Sequence, residues 1–404
     1  MKKVLFVLSE WSLHASPNAL CVECIAKELT QDGDFAVDCL SLESGEKEDD
    51  AKAGICFVNA PEQKNGFARK VYKFFHMPLS SVSAAEKIAD RIVALQEQNH
   101  YTAVIAVMNP PETAEAVYRA KLKNRDIHYI LYEIDPNSNR YKAPSDLLGR
   151  YLMQKAMRWE RKVYEQAAFI IHMISHKAHY TQPFFDRFEA KTQFLDIPGL
   201  NTACFEEDNR HSVPDSFLYA GAFYPGLRAP DQMVAYMAAY FNGNKGYLDI
   251  YTGRMQDELH RLIAGAGAEK AIKVHDTVEK SELHQIMHAH RVLVSVGNKQ
   301  SDFLPSKTLD YIGTNKQIIH FYSDENDTSL PYLKRYGTCL LIQEDTPIPE
   351  AVEKISSFVK NENQKSWREG DLKSAFEHNT PAYTAGRFKM MIDEIAERKT
   401  HDSL

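Results

Sequence analysis

Short apolar runs alternate with helical patterns along the first half of the chain. The apolar runs predict buried strands at 3–8, 35–42, 54–59, 103–108, 127–133 and 169–174. Between them, apolar positions at helical spacing predict helices at 18–31, 81–98, 111–122 and 145–167. This alternation is typical of a parallel sheet that is covered by helices on both faces.

The pattern starts again after a polar stretch at 206–216. Further strands are predicted at 217–221, 247–252, 271–275, 291–296, 317–321 and 338–343. We therefore predict two α/β domains, an N-terminal one over 1–207 and a C-terminal one over 208–380. The last amphipathic pattern, 382–397, follows the second sheet, and we expect the segment 381–404 to return to the first domain.

Composition agrees with a two-domain globular protein. The chain has 404 residues, 44% of them apolar and 25% charged, which is more than one hydrophobic core usually serves. A net charge of -7 argues against a nucleic-acid partner that is bound by overall charge. The first apolar run, 4–8, is too short for a signal peptide, so we interpret it as the first strand of a cytoplasmic protein.

Two motifs imitate metal sites. Cys21 and Cys24 lie on the apolar face of a predicted helix, and no second pair of that spacing completes a metal shell, so small core side chains are favoured. Asp32 and Asp34 flank a glycine between a helix and a strand, where such residues form turns. We predict no catalytic metal.

The segment "SDFLPSKTLDYIG", 301–313, carries the strongest candidate chemistry. It follows a buried strand, and ligands of open α/β sheets bind beyond the carboxyl ends of strands. Ser306 is a candidate N-cap, and Lys307 beside free first-turn N–H groups favours a phosphate over a merely solvated lysine. Asp310 is a candidate for a ribose and Asp302 for a sugar hydroxyl, although either one could be surface charge.

This segment resembles a motif of retaining glycosyltransferases with the GT-B fold, the large family-four group. The matching features are two acids eight positions apart, Asp302 and Asp310, then Tyr311 and the run 314–319; both acids are aspartates where the family has glutamates. The resemblance implies two Rossmann-like domains that face one another across a cleft. It also implies a nucleoside diphosphate-sugar donor, with UDP the expected nucleotide, and neither a cofactor nor a metal.

The stretch 217–237 resembles the opening strand of that family's donor domain. Gly221 stands at its tight turn, and Arg228 fits the second of two cation positions, while Ala222 and Phe223 occupy the first. The resemblance implies that Arg228 and Lys307 bind the diphosphate and that the backbone near 276–278 reads the base. A role for Arg228 in capping the next helix is the alternative.

The first domain binds the acceptor in this family. The loop at 9–21 lacks the glycine pair usual there, has Ser16 or Asn18 as candidate cap, and carries His14, which either contacts sugar or acceptor or is solvated. Glu133 and Asp135 end a strand and share one side of it. Asp135 is our candidate for orienting the acceptor or stabilising charge on the sugar, with turn capping as the alternative.

The segment 64–78 interleaves basic and aromatic residues without an acid. On a helix this pattern suits either peripheral contact with anionic lipid headgroups or an ordinary core helix. Lipid contact is consistent with a lipid-linked acceptor.

We therefore predict a metal-independent retaining glycosyltransferase of hexosyltransferase type, which acts in polysaccharide or glycoconjugate synthesis. Its partners are a nucleotide sugar and a glycan or lipid-linked acceptor, with no nucleic acid. Because both acids are shortened and one cation and the glycine pair are missing, a GT-B pseudoenzyme that acts as a binding or stabilising partner is an alternative. A GT-B sugar-nucleotide epimerase is another.

Overall fold

The structure is a computed structural model of the chain. It describes residues 1–9, 17–43, 48–50, 54–59, 75–135, 137–138, 147–206, 212–299, 304–305, 307–361 and 366–402. His14, Ser16, Asp302 and Ser306 lie outside these residues, as does 60–74, which is most of the predicted lipid-contact segment.

The strands within the described residues follow the predicted order. They are β1 (Lys2–Ser9), β2 (Phe35–Glu43), β3 (Ile55–Asn59), β4 (Ala103–Val107), β5 (Tyr129–Glu133), β6 (Phe169–Met173), β7 (Thr192–Leu195), β8 (Val213–Ala220), β9 (Tyr247–Tyr251), β10 (Ile272–His275), β11 (His290–Val296), β12 (Gln317–Tyr322) and β13 (Cys339–Gln343). Strand β7 was not predicted, because its four residues include two polar ones and give no clear period.

The helices lie between the strands. They are α1 (Pro17–Thr30), α2 (Val82–Asn99), α3 (Pro111–Lys123), α4 (Leu147–Glu165), α5 (Lys177–Tyr180), α6 (Asp231–Gly243), α7 (Gln256–Gly265), α8 (Lys280–Ala289), α9 (Lys307–Ile312), α10 (Leu330–Tyr336), α11 (Ile348–Lys360), α12 (Glu369–Ala375) and α13 (Pro381–Asp402).

The first compact unit comprises 1–198 and 378–404. Its described strands form a parallel seven-stranded sheet in the order β3-β2-β1-β4-β5-β6-β7. Successive residues of β1 alternate between two hydrophobic cores, with Leu5 in one and Phe6 in the other. Both faces of the sheet are therefore covered, which explains why this strand is a continuous apolar run.

The C-terminal helix α13 belongs to this first unit, as the sequence predicted. Phe388 and Ile392 are fully buried in the core that also contains Val22 and Ile25 of α1. The ring of Phe388 lies edge-on to that of Tyr132, with 5.3 Å between the centroids. The apolar face of α13 therefore completes a hydrophobic core to which residues near the N-terminus also contribute.

The second compact unit comprises 199–377. Its described strands form a parallel six-stranded sheet in the order β10-β9-β8-β11-β12-β13. The chain moves outward from β8 to β10 and then returns to pair β11 with the other side of β8. The strand order thus reverses between β8 and β11, the position where open α/β sheets bind ligands.

The first unit ends before the predicted boundary at 207, because 199–206 pack within the second unit. The hydroxyl of Thr202 donates to the carboxylate of Glu369 at 2.8 Å, and Glu206 pairs with the buried amine of Lys316 at 3.2 Å. These contacts link the segment to helices and strands that come much later in the chain.

The two motifs that resemble metal sites make ordinary structural contacts. Cys21 packs against a hydrophobic core, and neither Cys21 nor Cys24 forms a disulfide. Asp32 lies in the turn before β2 and pairs with Lys389 at 2.6 Å. In the described part of the chain, no cluster of three or more potential metal ligands occurs, and no helix there is long and apolar enough to cross a membrane.

Candidate functional site

A cavity of about 350 Å³ opens at the carboxyl ends of β8, β9 and β10 in the second unit. Its lining includes Gly221, Ala222, Arg254, Thr277 and Val278. The cavity therefore lies beside the reversal of strand order, where a ligand is expected. The 276–278 segment that the sequence associated with the base contributes two of these residues.

Lys307 is the first residue of α9, and its amine is buried beside the cavity wall. The Nζ atom has no hydrogen-bond partner among the described residues, and it lies 3.8 Å from the ring centroid of Tyr219. Burial, followed by the positive charge of Arg228, holds the pKa of this amine well below its usual value. A bound anion beside the amine would favour its charged form and so raise this pKa.

Arg228 contacts the cavity-lining residue Ala222 and is held by neutral groups. Its Nε and Nη2 donate to the side-chain oxygen of Asn298 at 3.0 and 2.7 Å, and its Nη1 donates to the carbonyl of Ala222 at 3.3 Å. No carboxylate of the described residues pairs with Arg228, although its side chain is buried. Because it is bound through an amide and a carbonyl, the guanidinium keeps its full charge for a ligand.

Aromatic residues fix the end of β8. The hydroxyl of Tyr311 accepts a hydrogen bond from the backbone N–H of Ala220 at 2.9 Å. Phe223 is fully buried and stacks on Tyr219, with 4.3 Å between ring centroids. Phe223, at the position where the resembled family has a cation, is therefore a core residue that supports the ring under Lys307.

Asp310, Asp302 and Ser306 are the remaining sequence candidates of this unit. Asp310 is half-buried in α9, three residues after Lys307 and therefore on the same side of the helix. Asp302 and Ser306 lie outside the described residues. The helix α9 has six residues, so the side chains of Lys307 and Arg228, more than a helix terminus, define the positive charge here.

Sequence reasoning did not find Asn298 or Arg254. Asn298 is separated from Arg228 by 70 positions and shows no motif of its own. Arg254 directly follows the predicted strand at 247–252, and that placement was the available signal. Both lie in loops at the carboxyl edge of the sheet.

Asp135 occupies the corresponding edge of the sheet in the first unit. Its Oδ2 accepts hydrogen bonds from the amides of Asn18 at 3.1 Å and Asn109 at 2.7 Å. These residues follow β1, β4 and β5, which are adjacent in the sheet, so the segments after three strands meet at one carboxylate. Ser16 or Asn18 was the predicted cap of α1; Asn18 lies inside the helix and binds Asp135.

Glu133 does not share the surroundings of Asp135. It is fully buried, accepts a hydrogen bond from the backbone N–H of Asn137 at 2.9 Å, and pairs with His172 at 2.5 Å. Burial raises the pKa of Glu133, but the charges of His172 and His176 and the hydrogen bonds from His172 and Tyr180 together are larger and leave the pKa lowered. Glu133 is therefore an anchor for the loop that contains Asp135.

Glu160 is the second buried acid of this cluster. It accepts hydrogen bonds from the backbone N–H of Ser138 at 2.8 Å and from the hydroxyl of Tyr180 at 3.2 Å. Burial and the nearby charge of Glu133 raise the pKa of Glu160 to about 8. Glu160 is therefore largely protonated at neutral pH and avoids repulsion from Glu133.

Comparison with solved structures identifies proteins of the same architecture. The apo form of the lipopolysaccharide outer core galactosyltransferase WaaB is 11% identical, with a TM-score of 0.59 over 97% of this chain and 99% of that one. A glycosyltransferase from Rickettsia africae ESF-5 is 13% identical, with a TM-score of 0.65 over 98% of each chain. A UDP-GlcNAc 2-epimerase from Methanocaldococcus jannaschii is 10% identical, with a TM-score of 0.56 over 97% and 99%.

These similarities establish the fold. Together with the two parallel sheets, they confirm the predicted α/β class with GT-B architecture, two Rossmann-like domains in one chain. A comparison with models of known protein families finds no match, and neither does a search of curated proteins. The function proposed for the site therefore rests on its own residues.

Proposed function

We propose that the protein is a GT-B glycosyltransferase that takes a sugar from a nucleoside diphosphate donor. The observation that carries this proposal is the pair of basic side chains, Lys307 and Arg228, which contact the cavity-lining residues Gly221 and Ala222 and have no carboxylate partner among the described residues. A buried amine and a buried guanidinium are costly to keep charged without an anion, and a bound diphosphate supplies the missing negative charge.

Each candidate residue has a role in donor binding. Lys307 and Arg228 bind the diphosphate, and Gly221 allows the backbone to approach it. Asp310 binds the ribose, and Asp302 and Ser306 contribute to the sugar and phosphate contacts. The 276–278 segment reads the base, for which UDP is the expected nucleotide. The donor binds without a metal, since the basic side chains neutralise the phosphates.

The chemical step is a transfer with retention at the sugar. The bond from the anomeric carbon to the diphosphate oxygen breaks, and a bond to the acceptor oxygen forms on the same face. The leaving diphosphate takes the proton of the acceptor hydroxyl. Lys307 and Arg228 stabilise the charge that develops on the leaving group, and Asp135 stabilises positive charge on the sugar, with His14 contacting sugar or acceptor.

The acceptor is a glycan or a lipid-linked sugar, and the product is an intermediate of polysaccharide or glycoconjugate synthesis. Peripheral membrane contact through 64–78 belongs to this proposal. Phe75, in the described end of that segment, is 68% exposed, and its carbonyl accepts a hydrogen bond from Lys155 at 2.7 Å. An exposed aromatic ring beside a lysine suits an anionic lipid surface.

The decisive test separates donor binding from transfer. A thermal-shift screen with UDP, ADP, GDP and CDP and their hexose conjugates is expected to raise the melting temperature for one nucleotide. The donor of that nucleotide is then incubated with glycan and lipid-linked acceptors, and release of the nucleoside diphosphate is measured. If none of these nucleotides binds at millimolar concentration, the donor-site proposal is wrong, and the pseudoenzyme alternative stands.

A second candidate function is supported by the fold similarity to a UDP-GlcNAc 2-epimerase. An epimerase isomerises the sugar nucleotide without an acceptor. Proton NMR of the donor incubated with the protein alone discriminates the two functions. Appearance of an epimeric sugar nucleotide in the absence of acceptor supports the epimerase and contradicts the transferase.

A further inference from the structure

Arg254 lies on the rim of the cavity that contains Gly221 and Ala222. It follows β9, and its backbone is fixed by Thr252, whose hydroxyl accepts from the N–H of Arg254 at 3.2 Å and donates to its carbonyl at 3.1 Å. Its guanidinium carbon stands 4.8 Å from the ring centroid of Tyr224. The side chain is exposed and forms no ion pair with any residue in the described ranges.

The turn at 221–228 contacts three basic side chains. The amine of Lys307 lies against Gly221, Arg228 donates to the carbonyl of Ala222, and Arg254 packs on the ring of Tyr224. Tyr224 and Arg228 exchange backbone hydrogen bonds of 3.0 and 2.8 Å, which close the turn. The three cations therefore share one rigid support.

The two basic side chains already assigned offer few hydrogen-bond donors to a diphosphate. Three of the five N–H groups of Arg228 donate to Asn298 and Ala222, so few remain for a ligand. Burial lowers the pKa of Lys307, which favours its neutral form before a ligand binds. A donor diphosphate carries one charge on each phosphate group, and Ala222 and Phe223 provide no cation at the position expected from the sequence.

We propose that Arg254 is a third phosphate-binding cation of this site and replaces the one absent at 222 and 223, an inference that rests on the proposed donor function. The planar guanidinium, stacked on Tyr224, presents its N–H edge to phosphate oxygens in the bidentate geometry that arginine favours. This inference assigns Arg254 to the terminal phosphate of a nucleoside diphosphate, the group that a nucleoside monophosphate lacks.

The experiment compares Arg254→Ala and Arg254→Lys with a matched control, Arg261→Ala. Arg261 follows on the next helix, is 73% exposed and pairs with Glu258, outside the cavity lining. Isothermal titration calorimetry measures the affinity of each protein for UDP and UMP, or for the diphosphate and monophosphate of another base if the screen selects it. Inorganic pyrophosphate serves as a probe without a base.

We expect Arg254→Ala to weaken diphosphate binding about tenfold, since a charge-assisted hydrogen bond contributes about 1.4 kcal/mol or more. Monophosphate binding should change less than about threefold, Arg254→Lys should restore part of the loss, and Arg261→Ala should bind as wild type does. Unchanged diphosphate affinity in Arg254→Ala, or an equal loss for both nucleotides, overturns the inference. Failure of the wild type to bind any diphosphate instead overturns the proposed function itself.

Discussion

The amine of Lys307 lies 3.0 Å from the point that a Cβ atom on Gly221 would occupy. Gly221 has φ +149°, a backbone conformation that residues with side chains rarely adopt. The end of β8 and the start of α9 therefore meet at a glycine because a larger residue would displace the lysine. This contact connects the two parts of the candidate site that are farthest apart in sequence.

The first prediction concerns Gly221→Ala. The added methyl group displaces the amine of Lys307, and the backbone conformation becomes strained by about 1–3 kcal/mol. We expect nucleoside diphosphate affinity to fall at least about tenfold in calorimetric titration.

Gly226→Ala provides the matched control, because Gly226 has φ +74° in the same turn but no atom within 4 Å of the added methyl group. It should lose stability without a comparable loss of affinity. Equal affinity losses in the two variants would contradict the role assigned to the Gly221–Lys307 contact.

The second prediction concerns Lys307→Met, which removes the amine while keeping a side chain of similar length. Diphosphate affinity should fall about 10- to 100-fold, as expected for a lost charge-assisted contact. The free energy of unfolding should not fall, because an amine without a partner among the described residues leaves a buried position. Urea denaturation measures this, with Lys354→Met, an exposed lysine of α11, as control.

The same variant predicts a pH dependence. The folded-state pKa of Lys307 is below its ordinary 10.5, so between these two values the unfolded chain binds more protons than the folded one. The contribution of Lys307 to stability therefore improves as pH rises toward 10.5. The difference in unfolding free energy between wild type and Lys307→Met should shift in favour of wild type as pH rises; a constant difference would contradict the burial of the amine.

The third prediction concerns Asp135→Asn. The amide keeps an oxygen for Asn18 and Asn109, so the melting temperature should stay within about 2 °C of wild type. Under the role proposed for Asp135, turnover of donor and acceptor should fall about 100-fold, because the amide lacks the negative charge assigned to stabilising the sugar. The exposed Asp32, paired with Lys389, supplies the control Asp32→Asn. Full turnover in Asp135→Asn would contradict the catalytic role of Asp135 and leave turn capping as its function.

The fourth prediction concerns Glu160→Gln. The pKa of Glu160 is about 8 in the folded protein against an ordinary 4.5, so the folded state binds more protons between these values and stability falls as pH rises through them. This contribution has a slope of up to about 1.4 kcal/mol per pH unit. Glutamine resembles the protonated acid and does not titrate.

Unfolding free energies measured from pH 5 to pH 9 test this. The wild type should lose stability relative to Glu160→Gln across that interval. Parallel curves for the two proteins would show that Glu160 ionises normally beside Glu133.

The apolar pattern was sufficient to predict most of the fold. Burial of both faces makes the strands continuous apolar runs, and residues at helical spacing mark the covering helices, so β1 to β6 and β8 to β13 follow from local sequence. The exception, β7, is a short edge strand with two polar residues, and its pairing with β6 depends on the neighbouring strand.

The candidate site was only partly predictable. Gly221 ends a predicted strand, Arg228 lies in the loop that follows it, and Lys307 begins a helix. These positions point to a ligand in any sheet of this type. Their binding roles remain predictions. No local sequence pattern indicates that Asn298 binds Arg228 or that Arg254 packs against the turn at 221–228.

The sequence by itself determined the alternation of strands and helices, the two α/β domains and the return of the C-terminal helix, because each depends on periodic burial along the chain. Only the tertiary structure decided which loop ends meet. Asn18 binds Asp135, and Arg254 and Lys307 contact the same turn, because strand order brings distant segments together. Strand order depends on long-range pairing that no local pattern records.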